Sequence, residues 1–193
     1  MGGVAPCQFG PVGLVGIATP SEQRGSFLTV SSSVWYFGYG SNMDPRTFLG
    51  RRRMRPHETR IALLDAWELR FDLPVGRGER AVANVVPAPG REVWGVAYRI
   101  DRPEAMRLDR TEGVHVGAYL RQPVSLNLPG EEDPTEAFTY HSKRSVPGRK
   151  PSRRYMGLLL AGARHHGLPD AYVTYLRSFE LAVDERSGQR ELF

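Results

Sequence analysis

Residues 34–44 read Val-Trp-Tyr-Phe-Gly-Tyr-Gly-Ser-Asn-Met-Asp, and they limit the fold more than any other stretch. The aromatic, β-prone run Trp35-Tyr36-Phe37 predicts a buried strand. Gly38 and Gly40 let the backbone turn without Cβ clashes. Asp44 and Pro45 then have the chemistry of an N-cap and a first helical residue. The unit is strand, glycine turn, helix start. Such a turn can aim several backbone N–H groups at one point, with the positive end of a helix dipole behind them, which suits a carboxylate or an oxyanion. The spacing Gly38-x-Gly40 resembles the start of a dinucleotide fingerprint, but Met43 stands at the third glycine position. No Gly-Lys-Ser/Thr follows, so this is no Walker loop. A tight turn that binds nothing satisfies the same local physics.

The 193 residues suit one domain with a real core. We expect residues 1–33, rich in Gly, Ser, Thr and Pro, to be a tail or leader without function. Residues 34–180 are the expected catalytic domain, and 181–193 a frayed C-terminal tail. No apolar run is long enough to span a bilayer. Residues 12–18 are mildly apolar but broken by glycine, and no Lys or Arg precedes Arg24, unlike a secretory signal. Cys7 is the only cysteine and lies in the expected tail, so neither a disulfide framework nor a thiolate metal cluster can be built from it. The expected compartment is the cytoplasm.

The formal net charge is +5, and Lys143 and Lys150 are the only lysines. The cluster Arg51-Arg52-Arg53-Met54-Arg55 reads as a solvated loop, with phosphate contact as the competing reading. No nucleic-acid motif accompanies it, so no nucleic-acid partner is expected. The basic balance also suits a small acidic substrate.

Beyond the first strand, a short helix is expected over 44–49, ended by Gly50, and strands over 60–65, 67–73, 81–86 and 92–100. Trp67, Leu69, Phe71 and Leu73 alternate with Glu68, Arg70 and Asp72, which predicts a strand with one wet face, and Trp94, Val96, Tyr98 and Ile100 share one face of the strand over 92–100. Pro87-Ala88-Pro89-Gly90 is expected to close a strand. Pro103 opens a helix to about Glu112, with Gly113 after it. Strands follow over 119–128, with Leu120, Val124, Leu126 and Leu128 on one face, and over 136–141. Ser152 caps the longest helix, 153–166, and a last one starts at Pro169 or Asp170. Some six strands, few helices and no regular βαβ alternation predict the α+β class, with a strongly curved sheet or small barrel.

Candidate chemistry narrows by residue type. None of His57, His115, His141, His165 and His166 has a second ligand at a recognised spacing, so no metal is expected. Ser41 lacks the elbow of a hydrolase nucleophile and reads as a hydrogen-bonding residue. Glu112 stands at the C-terminal end of its helix, where the dipole disfavours negative charge by about 0.3–1 kcal/mol. A carboxyl so placed suits general acid–base work near neutral pH. The competing reading is an exposed glutamate paired with Arg107 or Arg110. Tyr119, beyond the Gly113 turn, could face back toward Glu112, and Tyr155 opens the long helix; each is a core residue or a hydroxyl donor.

Three separated strings share one resemblance. Tyr36-Phe37-Gly38-Tyr39-Gly40-Ser41-Asn42-Met43 resembles the signature loop of the γ-glutamylcyclotransferase family. Leu108-Asp109-Arg110-Thr111-Glu112-Gly113-Val114 with Gly117-Ala118-Tyr119 resembles its catalytic-acid segment. Pro151-Ser152-Arg153-Arg154-Tyr155, with Gly162-Ala163 and Gly167-Leu168-Pro169, is similar to its C-terminal helices. Asn42 and Asp44 depart from the glutathione-specific branch, and Ser41 and Asn42 from the γ-glutamylamine branch, so the general type is nearest. Relatives that trim γ-glutamyl groups in antibiotic biosynthesis are equally similar. The resemblance implies a small mixed β-barrel with flanking helices. It also implies cyclisation of a small γ-glutamyl substrate to 5-oxoproline with release of an amine and no cofactor. The implied catalytic residue is Glu112; the implied substrate-binding residues are Tyr39, Gly40, Ser41, Asn42, Tyr119 and Tyr155. No membrane partner is expected, and a homodimer is left open. A non-catalytic anion-binding module of the same fold is the rival from another class.

Overall fold

A long hairpin is the spine of the fold. In the computed structural model, which describes residues 1–3, 32–76 and 78–183, strand β2 (Glu58–Pro74) pairs antiparallel with β3 (Arg80–Asp101). The four shorter strands expected here are the halves of these two. The ladder slips between Asp65 and Trp67, where Ala66 takes a left-handed φ of 61° and residues 88–91 are skipped. A bulge re-aims a strand instead of ending it. Pro87-Ala88-Pro89-Gly90 is therefore a bend inside β3, not its end.

Strand β1 (Ser33–Gly38) pairs antiparallel with the far half of β3 and parallel with β5 (Thr135–His141). Strand β4 (Leu120–Leu126) completes the order β2-β3-β1-β5-β4, and the short β6 (Lys150–Pro151) joins β3. The class is α+β, as expected. The sheet curls but does not close into a barrel. Its edges meet in one isolated bridge between Leu63 and Asn127, bonded both ways at 2.9 Å. Pro129, just beyond, has no N–H to extend the pairing.

Helix α1 (Arg102–Thr111) has Pro103 in its first turn, Glu112 at its C-cap and Gly113 beyond at φ 68°. Helix α2 (Arg153–His166) starts where Ser152 Oγ accepts the Tyr155 N–H at 3.2 Å. It stops at Gly167, and α3 (Asp170–Arg177) follows. The expected helix over 44–49 is instead a 3₁₀ turn, Ser41–Met43, and a π-helical turn, Arg46–Arg51. Gly50 lies inside the latter, and the left-handed residue is Arg53 at φ 52°. Asp44 caps through its carbonyl oxygen, 2.9 Å from the N–H groups of Thr47 and Phe48, while its side chain takes the Thr47 hydroxyl.

The core gathers Phe37, Met43, Phe48, Leu64, Leu69, Val96, Ile100, Leu108, Leu126, Leu159 and Leu176. No wet face runs along the far half of β3: Val93, Val96, Ala97 and Tyr98 are all buried. Helices α1 and α2 both pack against this strand. The expected stripe on β4 holds at Val124 and Leu126, but Leu120 is exposed. Asp72, expected on a wet face, is buried because Asn84 and Ser145 bond its two oxygens at 3.1 and 2.8 Å.

One contact sets the position of α2. A Cβ at Gly162 would sit 2.5 Å from the Met43 carbonyl carbon, so only glycine lets the helix rest on the main chain of the 3₁₀ turn. That seat brings the first turn of α2, with Tyr155, up to the glycine loop.

The chain divides into units Met1–Val30 and Ser31–Phe193. The expected N-terminal tail lies largely outside the described residues, as do 184–193 of the expected C-terminal tail. Residues 182 and 183 are tied down: Ala182 is buried and bonds the Pro151 carbonyl at 2.9 Å, and Val183 bonds Glu79 at 2.7 Å. Among the described residues no helix is long and apolar enough to cross a membrane.

Candidate active site

Each implied site residue lines one cavity of about 230 Å³. Its wall holds Tyr39, Gly40, Ser41, Asn42, Glu112, Tyr119 and Tyr155, together with Tyr36, Arg52, Val82, Ala83 and Tyr140. The space is below the roughly 300–1,000 Å³ usual for drug-sized ligands, which favours a small headgroup over a large cofactor.

Strand β1 delivers Tyr36 inward and ends in the glycine loop. Neither Gly38 nor Gly40 is left-handed, so steric freedom at φ is not what the loop requires of them. Gly40 is needed for close approach: a Cβ there would lie 3.0 Å from the Tyr155 hydroxyl. That hydroxyl accepts from the Ala83 N–H at 3.1 Å and lies beside Ser41 in the cavity wall. The anion cradle expected at Ser41 is thus already shared with a phenol oxygen. With one lone pair taken by the Ala83 N–H, the Tyr155 hydroxyl has an O–H that can donate to a bound anion. Burial pushes that hydroxyl up to about 12, against the opposing bond from Ala83.

Asn42 links the loop to the acid. Its Nδ2 donates to the Tyr36 hydroxyl at 2.7 Å and to Glu112 Oε1 at 3.1 Å. Its carbonyl oxygen accepts from the Tyr98 hydroxyl at 3.0 Å, while Oδ1 is buried without a hydrogen-bond partner among the described residues. Glu112 arrives from the C-terminal end of α1, as the sequence predicts, but its side chain is only 11% exposed. Its cation is neither Arg107 nor Arg110. Arg52, at the end of the π-helical turn, stands 2.8 Å from Oε1. Arg107 pairs with Glu104 instead. No donor among the described residues bonds the other oxygen, Oε2.

Tyr119 does face back toward this cavity, and its hydroxyl donates to the Ala83 carbonyl at 3.3 Å. Tyr39 is buried and donates to the Tyr140 carbonyl at 2.6 Å. Burial raises the hydroxyls of Tyr36, Tyr39 and Tyr119 above the ordinary tyrosine value, so all three stay neutral. Among the described residues that line the cavity, Glu112 is therefore the one carboxyl in a wall of neutral hydroxyls, and Arg52 the one cation.

Arg52, Tyr36, Ala83 and Tyr140 are cavity residues that the sequence does not single out. Tyr36 had a signal, its place two residues before the glycine turn on the inward phase of β1. Arg52 had none, because three neighbouring positions, Arg51, Arg53 and Arg55, share its chemistry and only the packing of α1 selects it.

The pattern of the AIG2-like family matches residues 92–176. Bovine γ-glutamylcyclotransferase (Bos taurus) is 31% identical over 153 residues, 77% of this chain and 79% of that one. The mouse γ-glutamylcyclotransferase (Mus musculus) is 31% identical over 151 residues, 75% and 78% of the two chains. A solved structure titled γ-glutamyl cyclotransferase superposes with a TM-score of 0.69 at 24% identity, covering 79% of this chain and 91% of its own, which shows a shared fold.

Proposed function

This chain belongs to the γ-glutamylcyclotransferase family and is an enzyme of that type, and from that premise we propose that it cyclises a γ-glutamyl amino acid or amide to 5-oxoproline. The observation that carries the reading is Glu112: a carboxyl in the signature-loop cavity with Oε1 held by Asn42 and Arg52 and, among the described residues, no donor on Oε2.

The substrate supplies its own nucleophile. A free α-amine has a pKa of about 7.7–8.0 and enters mostly as ammonium at neutral pH. Glu112 takes a proton from it. The freed nitrogen attacks the γ-carbonyl carbon, and a C–N bond closes the five-membered ring. The bond from that carbon to the leaving nitrogen breaks as Glu112 returns its proton to that nitrogen; the surplus proton on the ring nitrogen then passes through the same carboxylate to the departing amine, leaving a neutral lactam and an ammonium ion. Protons and charge balance, and no cofactor enters. The gain comes chiefly from holding amine and carbonyl in attack geometry.

The loop Tyr39, Gly40, Ser41 and Asn42 grips the glutamyl headgroup, with Tyr155 donating to its carboxylate or to the developing oxyanion. Tyr119 supports the Ala83 side of the cavity. Every lining residue falls within residues 34–180, which supports that span as the catalytic domain. The partner in this reading is a small γ-glutamyl molecule, and the setting a reducing cytoplasm. A panel of γ-glutamyl amino acids, glutathione, γ-glutamyl amines and carrier-bound γ-glutamyl chains, scored for 5-oxoproline, tests it. Release from at least one donor is expected; release from none overturns the reading.

A further inference from the structure

The arginine cluster at residues 51–55 reads from sequence as a solvated surface, yet one member is not on it. Arg52 is 22% exposed at its side chain and is held at three points. Its main-chain N–H bonds the Thr47 carbonyl at 3.0 Å, which closes the π-helical turn. One guanidinium nitrogen, Nη1, donates to the Thr111 hydroxyl at 2.7 Å. The other, Nη2, stands 2.8 Å from Glu112 Oε1. Thr111 is itself fixed, since its hydroxyl donates to the Leu108 carbonyl at 2.9 Å. The charge is therefore not swinging on a flexible stem. It is braced against the last turn of the helix that carries Glu112.

We infer that Arg52 is a positioning residue for the cyclisation: with Asn42 it pins Glu112 Oε1 and leaves Oε2 as the oxygen that carries the proton. This rests on the function proposed above. Two donors share Oε1, so rotation of the carboxyl about its last bond would break an ion pair and a hydrogen bond at once. The plane of the carboxyl is thereby set, and with it the direction of Oε2. Proton transfer needs heavy atoms within about 2.6–3.2 Å. An unpinned carboxyl spends part of its time outside that range. Thr111 acts at one further remove, by holding the guanidinium.

The test is a double-substitution cycle on the full-length chain, with kcat and KM measured for a γ-glutamyl amino acid that the wild type cyclises. Arg52→Met should lower kcat by roughly 30- to 100-fold while KM changes less than about threefold, the pattern of lost geometry without lost substrate grip. Thr111→Val should lower kcat by about three- to tenfold, and should add nothing on top of Arg52→Met, because it acts only through the guanidinium. Arg52→Lys should keep the charge but lose the fork, and fall between wild type and Arg52→Met. Arg52→Ala should regain turnover when guanidinium ion is added, a response that a merely structural role does not produce. Near-wild-type kcat in Arg52→Met overturns the inference and leaves the proposed function standing. Additive losses in the cycle, or no guanidinium rescue of a folded Arg52→Ala, also overturn it. If Arg52→Met does not fold, Thr111→Val and Arg52→Lys decide: unchanged kcat in both overturns it. A wild type that forms no 5-oxoproline from any donor overturns the function reading and this inference together.

Discussion

Helix α1 carries two buried-side carboxyls one turn apart, Asp109 and Glu112, and each faces an arginine. Asp109 is saturated. Its Oδ1 takes the Tyr140 hydroxyl at 2.5 Å and its Oδ2 takes Arg121 at 3.0 Å. Glu112 is half satisfied, with Asn42 and Arg52 both on Oε1. Both pairs look like ordinary ion pairs in a contact list. The difference is a single oxygen. A carboxyl with both oxygens bonded to protein holds structure together and has no lone pair to offer a substrate. A carboxyl with one oxygen pinned and one open is oriented and still reactive. Ion pairing alone therefore does not separate a structural acid from a catalytic one, and neither does an open oxygen by itself: Glu104 also has both its donors on Oε1, but it lies outside the cavity wall, where Glu112 stands.

The sharpest way to break this comparison is to neutralise each acid. Glu112→Gln keeps an acceptor for Asn42 and the same volume, so substrate binding should persist while kcat falls by about 10²–10⁴. Retained turnover would remove Glu112 from the mechanism. Tyr155→Phe comes next. It strips the hydroxyl that takes the Ala83 N–H and lies beside Ser41, and kcat/KM should drop by about tenfold, roughly 1.4 kcal/mol, mostly through KM. An unchanged KM would show that the hydroxyl does not touch the headgroup. Asp109→Asn should do the reverse of Glu112→Gln. Unfolding stability should fall by about 1–2 kcal/mol, from a weakened bond to Tyr140 and a lost pair with Arg121, with kcat within about threefold of wild type. A loss of turnover larger than the loss of stability would erase the distinction drawn here.

The smallest effect is on pH. Burial lowers the pKa of His166, with a further push from His165 and against its bond to the Met43 carbonyl. Burial also lowers that of His141, assisted by Lys143. Both rings are therefore favoured as neutral in the native state. As pH falls below the ordinary histidine value of about 6.5, the unfolded chain takes up protons first, and stability declines until the folded pKa values are passed. Above 6.5 the contribution is fully present. His166→Gln should flatten part of that decline in chemical denaturation between pH 7 and 5. If the slope is unchanged, the acid sensitivity belongs to other groups.

Much of the fold was legible because the signals are local. Ser152 before a helical stripe, Gly113 and Gly167 after one, and alternating apolar residues in 67–73 each act over a few residues, and each element stands where those signals place it. The errors share a cause. Pro87-Ala88-Pro89-Gly90 reads as a stop, but the partner strand bulges at Ala66 and the ladder resumes past it. Asp72 reads as wet, but Asn84 and Ser145 reach it from elsewhere. The strongly curved sheet or small barrel expected is a curled, open sheet whose edges meet in one bridge at Leu63 and Asn127. In every case a distant segment supplied what the local pattern lacked.

From its sequence alone this protein was committed to a strand that ends in a glycine loop, to an acid at the end of a helix, and to a tyrosine at the start of another. Chain stiffness, capping chemistry and side-chain period decide those features, and all three operate within a turn or two. Only the tertiary structure chose Arg52 from its cluster, put the Tyr155 hydroxyl in the loop's cradle, and left one oxygen of Glu112 open. Asn42 and Glu112 are 70 positions apart, and the seat of α2 on Met43 depends on a missing Cβ at Gly162. Bonds of about 3 Å between such distant points are fixed by how the elements pack, which no local pattern records.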